Sequence, residues 1–301
     1  MKLTPVLLIL FILTISTNTF AQKTVQSAST GDIKTIITAP PKQLNLDPFY
    51  QKYTDAFGIP VVSSGNVSDS ALIIARDIVN YMLSKRPDIR AELVTQGARL
   101  SIIGQHEMQT DLPECRDWKK PEKSDRRLTP KERDNYDKPG GLASMTDKQY
   151  WNQRARGMGG IHTSCAEENL LGIKGTRYYG ENITVHEFSH NMMQALRHTD
   201  STLYLRINDA YERAKTKGLY KGQYAINTVQ EYWAEGTQWW FWSNFEFYDG
   251  DTRVQSPDDL QQYDPELFDI LSSVYAGHHI PADVYYGKNW NSPVKAKANS
   301  N

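Results

Sequence analysis

The chain has 301 residues, 39% hydrophobic and 23% charged, a globular balance that excludes a disordered or membrane-embedded class. Lys and Arg number 34 against 35 Asp and Glu, giving a formal net charge of −1. That near-neutrality excludes the basic excess of a nucleic-acid binder, and the mixed-charge stretch from Lys119 to Arg133 reads as a solvated loop.

From the start of the chain, Met1-Lys2, the apolar run Val6 to Ile15 and the small residues of Thr19-Phe20-Ala21 predict a signal peptide over residues 1–21. The run is shorter than the roughly 20 residues of a bilayer span. The expectation is export to a secreted or periplasmic location, with no membrane span in the mature chain. Residues 22–45 read as a flexible lead-in ending in a short edge strand from Ile33 to Thr38, residues 46–290 as one domain, and residues 291–301 as a polar tail.

Leu72, Ala75, Ile78, Val79, Met82 and Leu83 recur at helical spacing and predict a helix from Ser68 to Arg86, capped by Ser68 or Asp69 and ended by Pro87. A shorter helix follows near Ile89 to Gln96. Leu100, Ile102 and Ile103 then predict a strand over Arg99 to Gly104. A helix feeding a strand implies an α+β layer. Residues 105–160 are polar, punctuated by Pro and Gly, and yield no element. Helical patterns return from Glu181 to Arg197, Leu203 to Lys217 and Asn227 to Trp242.

The chain has two cysteines, Cys115 and Cys165. In an oxidising compartment a disulfide between them is expected, with two buried thiols as the alternative. Neither has a neighbour at zinc-knuckle spacing.

The helix from Glu181 carries His186-Glu187-Phe188-Ser189-His190. Two imidazoles four residues apart project one turn apart from one face, so both can reach a single Zn²⁺. Glu187 faces the same side and can act as a base toward water. Val185, Phe188, Met192, Met193 and Leu196 make the rest of this helix apolar, where two histidines and a glutamate would be costly without a metal or partner. A zinc hydrolase needs a third protein ligand. No Gly and third His follow His190, which excludes the metzincin arrangement. The later helix offers Glu231 and Glu235, one to ligate and the other to hold an imidazole from behind.

These two segments together resemble the catalytic domain of the anthrax lethal factor-like gluzincin metallopeptidases. The resemblance covers about residues 180–245. It implies Glu231 as third ligand, 41 residues after His190, Glu235 as the imidazole's partner, and Tyr224, seven residues before Glu231, as oxyanion donor. It further implies a helix-rich, zincin-like α+β fold with a small mixed sheet, a Zn²⁺ cofactor and a peptide or protein substrate. Two other expectations stand beside it: a zinc hydrolase acting on cell-wall peptide or glycoprotein, and a zincin-fold binding protein without turnover. The stretch Thr163 to Leu171 is also similar to secreted zincin-like proteins.

Weaker signals have ordinary explanations. His278-His279, Glu167, Glu168, Arg154 and Arg156 could line a cleft, and Trp239, Trp240 and Trp242 could form a stacking platform. Aromatic residues ending a buried helix are more often core.

Overall fold

Short segments of two to five residues build a mixed sheet, and longer amphipathic segments cover one of its faces. The computed structural model describes residues 37–125, 128 and 130–275. The expected signal peptide, most of the lead-in, residues 33–36 of the edge strand, His278, His279 and the polar tail lie outside the described residues. The elements are β1 (Lys52–Asp55), β2 (Pro60–Ser63), α1 (Asp69–Met82), α2 (Pro87–Thr95), β3 (Arg99–Ile103), α3 (Pro130–Asp134), α4 (Asp147–Arg154), β4 (Gly157–Met158), β5 (His162–Ala166), α5 (Glu167–Leu170), α6 (Ile183–Thr199), α7 (Ser201–Lys217), α8 (Val229–Trp240), β6 (Phe247–Asp249), β7 (Thr252–Val254), α9 (Pro257–Tyr263) and α10 (Pro265–Tyr275). The fold is helix-rich α+β, as the sequence implies. Among the described residues no helix is long and apolar enough to cross a membrane.

The large sheet runs β1-β2-β3-β5-β4. β2, β3 and β5 are parallel, while β1 and β4 pair antiparallel at the two edges. The β2-to-β3 connection is α1 followed by α2, as a parallel crossover requires. Ser68 caps α1 by accepting the Ser70 N–H at 3.3 Å, and Pro87 opens α2 at a position where its missing donor costs nothing.

Strand alternation sorts the sheet into two unequal cores. Val61, Leu100, Ile102 and Cys165 face the large core, with α1, α2, α6, α7, α8 and α10. Val62 and Ile103 face a smaller cluster with Tyr50, Leu112 and Cys115. The expected Cys115–Cys165 disulfide is therefore not formed. Both thiols are free and buried, one on each side of the sheet, and β-strand backbone separates them.

Residues 105–160 owe their shape to side chains that bond distant backbone, which periodicity cannot reveal. Lys120 Nζ donates to the carbonyls of Leu142 at 2.6 Å and Ala143 at 3.0 Å, and Trp151 Nε1 donates to Lys119 O at 3.1 Å. Thr146 and Gln149 form a reciprocal capping box that starts α4.

Candidate metal centre

α6 begins at Asn182, whose side chain accepts the Val185 N–H at 3.1 Å. Val185, Phe188, Met192, Met193 and Leu196 then bury one side of the helix against α8, α2 and β5. The opposite side presents His186 and His190 with ring centroids 5.0 Å apart. α8 starts at Thr228, which accepts the Glu231 N–H at 3.2 Å. Its Tyr232, Trp233 and Ala234 are fully buried, which turns Glu231 toward the imidazoles.

The side chains converge. Glu231 Oε2 lies 3.0 Å from His186 Nε2 and 3.8 Å from His190 Nε2. Glu187 Oε2 stands 4.0 Å from His190 Nε2. His186, Glu187 and His190 also form a group whose ligand atoms lie within 4.8 Å of one another. Two carboxylates thus compete for the third position, and Glu231 is nearer to both imidazoles. Ligands 2.0–2.1 Å from a tetrahedral zinc sit about 3.3 Å apart, a spacing the two Glu231 distances bracket. The donor set fits zinc, with Glu187 beside it.

Electrostatics agree. Burial opposes a charge on His186, but its bond to Glu231 and the carboxylates of Glu187 and Glu235 outweigh that and push it up to about 10. Burial also opposes the Glu231 charge, yet the bond from His186 holds this carboxyl below its ordinary value. An imidazolium and a carboxylate therefore face each other here, and a divalent cation bound between them would displace the shared proton. Burial pushes Glu187 up to about 7 against the lowering effect of His186 and an N–H from Gly159. Burial and the His186 charge push His190 down to about 4, so it offers a neutral lone pair.

Tyr224 is 57% exposed at the cleft, and its hydroxyl donates to Glu231 Oε1 at 3.3 Å. Glu235 stands behind the His186 imidazole. Its Oε1 is 3.5 Å from His186 Nδ1, whereas Gln238 Oε1 accepts from the same nitrogen at 2.8 Å. Gln238 was not legible as a site residue because it carries no charge; its only signal is the 231, 235, 238 spacing, which lines three side chains on one helix face.

Two glycines set the near wall. A Cβ on Gly159 would come within 2.8 Å of His190 Cδ2 and 3.2 Å of the Glu187 carbonyl, and one on Gly157 would clash with Ile183. The backbone of β4 and the residues after it can approach α6 only with glycine there. The resulting cleft holds about 840 Å³ and is lined by Tyr178, Glu181, Tyr224, Trp239, Phe245 and Phe247 as well as the converging groups.

The weaker candidates divide. Arg154 lines the cleft and pairs with Glu132 at 2.5 Å. Arg156 is instead buried, in a bidentate pair with Glu168 at 2.7 Å and 2.7 Å. Glu167 accepts the N–H groups of Ser68 and Gln105 at 2.7 Å and 2.9 Å. Trp239 stacks on Tyr220 with centroids 5.7 Å apart and reaches the cleft, while Trp240 packs on Phe268 in the core.

No protein-family model matches the sequence, and no curated protein matches it. Among solved structures, the chain is similar to the PRO-PRO endopeptidase PPEP-2 from Paenibacillus alvei, at 15% identity, covering 71% of this chain and 96% of that chain, with a TM-score of 0.44. At that level of likeness the reading of the site rests on its own side chains.

Proposed function

We propose that this chain is an exported, zinc-dependent metalloendopeptidase of gluzincin type. The observation that carries the proposal is the meeting of His186 Nε2, His190 Nε2 and Glu231 Oε2 from two helices, with Glu187 beside them. The signal-peptide pattern over residues 1–21 supports export.

His186, His190 and Glu231 would hold the ion, which when bound supplies Lewis-acid activation of water and of the scissile carbonyl. Glu187, whose carboxylate stands beside the ligand atoms, takes the proton of the attacking water and returns it to the leaving amine. Tyr224 offers its hydroxyl to the oxygen on which negative charge develops. β4 is an edge strand bordering the cleft, so an extended peptide can align along it through backbone hydrogen bonds. The wall of Tyr178, Phe245 and Phe247 accommodates apolar side chains.

The test is metal analysis of the purified chain combined with peptide-library cleavage, with and without a chelator. About one equivalent of zinc and chelator-sensitive cleavage are expected. Glu187→Gln is expected to retain the metal and lose cleavage; full activity in that variant would remove Glu187 as the base.

A further inference from the structure

We propose that Gln238, rather than Glu235, is the positioning residue that fixes the tautomer and ring orientation of His186 for metal binding. The inference rests on the zinc reading of the site and concerns a residue that reading does not need.

The Gln238 side chain is fully buried, and each end of its amide has a defined partner. Its Nε2 donates to Asn182 O at 3.1 Å and Ser243 O at 3.3 Å, and the Glu181 carboxyl bonds the same side chain. Two carbonyls cannot accept from an amide oxygen, so the opposite orientation of the amide is excluded. Oε1 therefore faces His186 Nδ1 at 2.8 Å. An amide oxygen only accepts, so Nδ1 carries a proton, and once the proton between Nε2 and Glu231 is displaced Nε2 is the ring nitrogen left to present a lone pair to an ion.

The amide is anchored because its nitrogen end is tied to backbone. Asn182 caps α6 and its N–H donates to Ser243 O at 2.8 Å, while Ser243 N–H donates to Gln238 O at 2.8 Å. The start of the helix that carries His186 and the end of the helix that carries Glu231 are thus joined by this amide and by the Asn182–Ser243 backbone bond. Glu235 is placed differently. Its Oε2 accepts from Asn244 at 2.7 Å, its Oε1 stays 3.5 Å from Nδ1, and it lines the cleft.

The experiment compares zinc affinity, by competition with a chromophoric chelator, in the wild type, Gln238→Met, Gln238→Glu, Glu235→Gln and His186→Ala. Long-range ¹H–¹⁵N NMR of the zinc-loaded protein reads the His186 tautomer. Loss of a partner behind a ligand typically costs 10–100-fold in metal affinity. Gln238→Met is therefore expected to weaken zinc by about tenfold or more, Gln238→Glu to recover most of that, and Glu235→Gln to change it by less than about threefold. Met and Glu both delete the amide donations, but only Glu keeps an acceptor for Nδ1, now a charged one, so recovery in Glu reports that acceptor together with its charge. The wild type is expected to show a slowly exchanging His186 Nδ1 proton that exchanges quickly in Gln238→Met.

Unchanged zinc affinity with a retained Nδ1 proton in Gln238→Met would overturn the proposal, as would a larger loss in Glu235→Gln. If Gln238→Met does not fold, the wild-type tautomer and Glu235→Gln decide the matter. Absence of a proton on His186 Nδ1 in the wild type would overturn it. If His186→Ala binds zinc as the wild type does, it is the zinc reading that falls.

Discussion

Trp233 Nε1 donates to the carbonyl of Ser189 at 2.9 Å, both groups buried. Ser189 lies between the two histidines of α6, and Trp233 follows Glu231 by two residues on α8. This hydrogen bond therefore helps to hold together the two helices whose side chains meet at the site. The Ser189 carbonyl still accepts within α6, so removing the indole donor costs about 0.5–1.5 kcal/mol, the net value of one hydrogen bond. Trp233→Phe is expected to lower the thermal midpoint accordingly and to weaken zinc, and equilibrium denaturation with zinc titration checks both.

Glu231→Ala is expected to abolish stoichiometric zinc, and Glu235→Ala to weaken it less, because only Glu231 reaches both imidazoles. Metal analysis after dialysis distinguishes them, and the reverse order would show that the third ligand is misassigned. Chelation should also lower the melting temperature of the wild type. A ligand present at about 100 times its Kd contributes about 2.7 kcal/mol to stability.

Gly159→Ala is a test of space alone. The added methyl would meet His190 and the Glu187 carbonyl, so the segment after β4 or the α6 side chains must shift. Displacements near 1 Å cost about a hundredfold in well-aligned sites. A fall in kcat/KM of about tenfold or more is expected, with the circular dichroism spectrum preserved.

The free thiols give a simple chemical check. Alkylation of the denatured chain without any reductant is expected to label both Cys115 and Cys165, and reductant is expected to leave the folded protein's melting temperature unchanged. A single disulfide-linked peptide in the digest would contradict the arrangement of the sheet.

Acid stability should depend on Glu114. Burial opposes its charge, but hydrogen bonds from Tyr50 at 2.6 Å and the Arg99 guanidinium at 3.0 Å outweigh that and hold the carboxyl below its ordinary value of 4.5. A depressed folded value means the contribution is complete above the unfolded pKa and is lost as pH falls through the folded one. Glu114→Gln is thus expected to be less stable than the wild type at neutral pH. The gap should narrow below about pH 4, as urea midpoints across that range would show.

Much of the site was readable because α6 and α8 obey local rules. Leu72 to Leu83, Val185 to Leu196 and Tyr232 to Trp240 repeat at helical spacing, and the His and Glu pairs sit on the opposing faces. The strands were harder. Only β3 has a strong apolar pattern; β5, His162-Thr163-Ser164-Cys165-Ala166, is small and polar because Ser164 bonds Gln109 at 3.0 Å and Thr163 accepts from Asn191 at 2.6 Å. β4 has two residues, and its glycines are explained by α6 rather than by strand propensity. Gln238 is not legible in the sequence because it carries no charge, and its placement depends on carbonyls that only the folded chain brings close.

The thin layer behind the sheet sets where this molecule gives way first. Tyr50, Val62, Ile103, Leu112 and Cys115 form a small patch roofed by segments near residues 46–50 and 109–118, whereas the helices bearing His186 and Glu231 are anchored in the large core. Partial opening follows the weaker packing, so that roof can lift while the histidines and Glu231 stay assembled. Amide exchange and nicking would begin at the back of the molecule, and loss of that cover would precede, by a measurable interval, loss of the cleft.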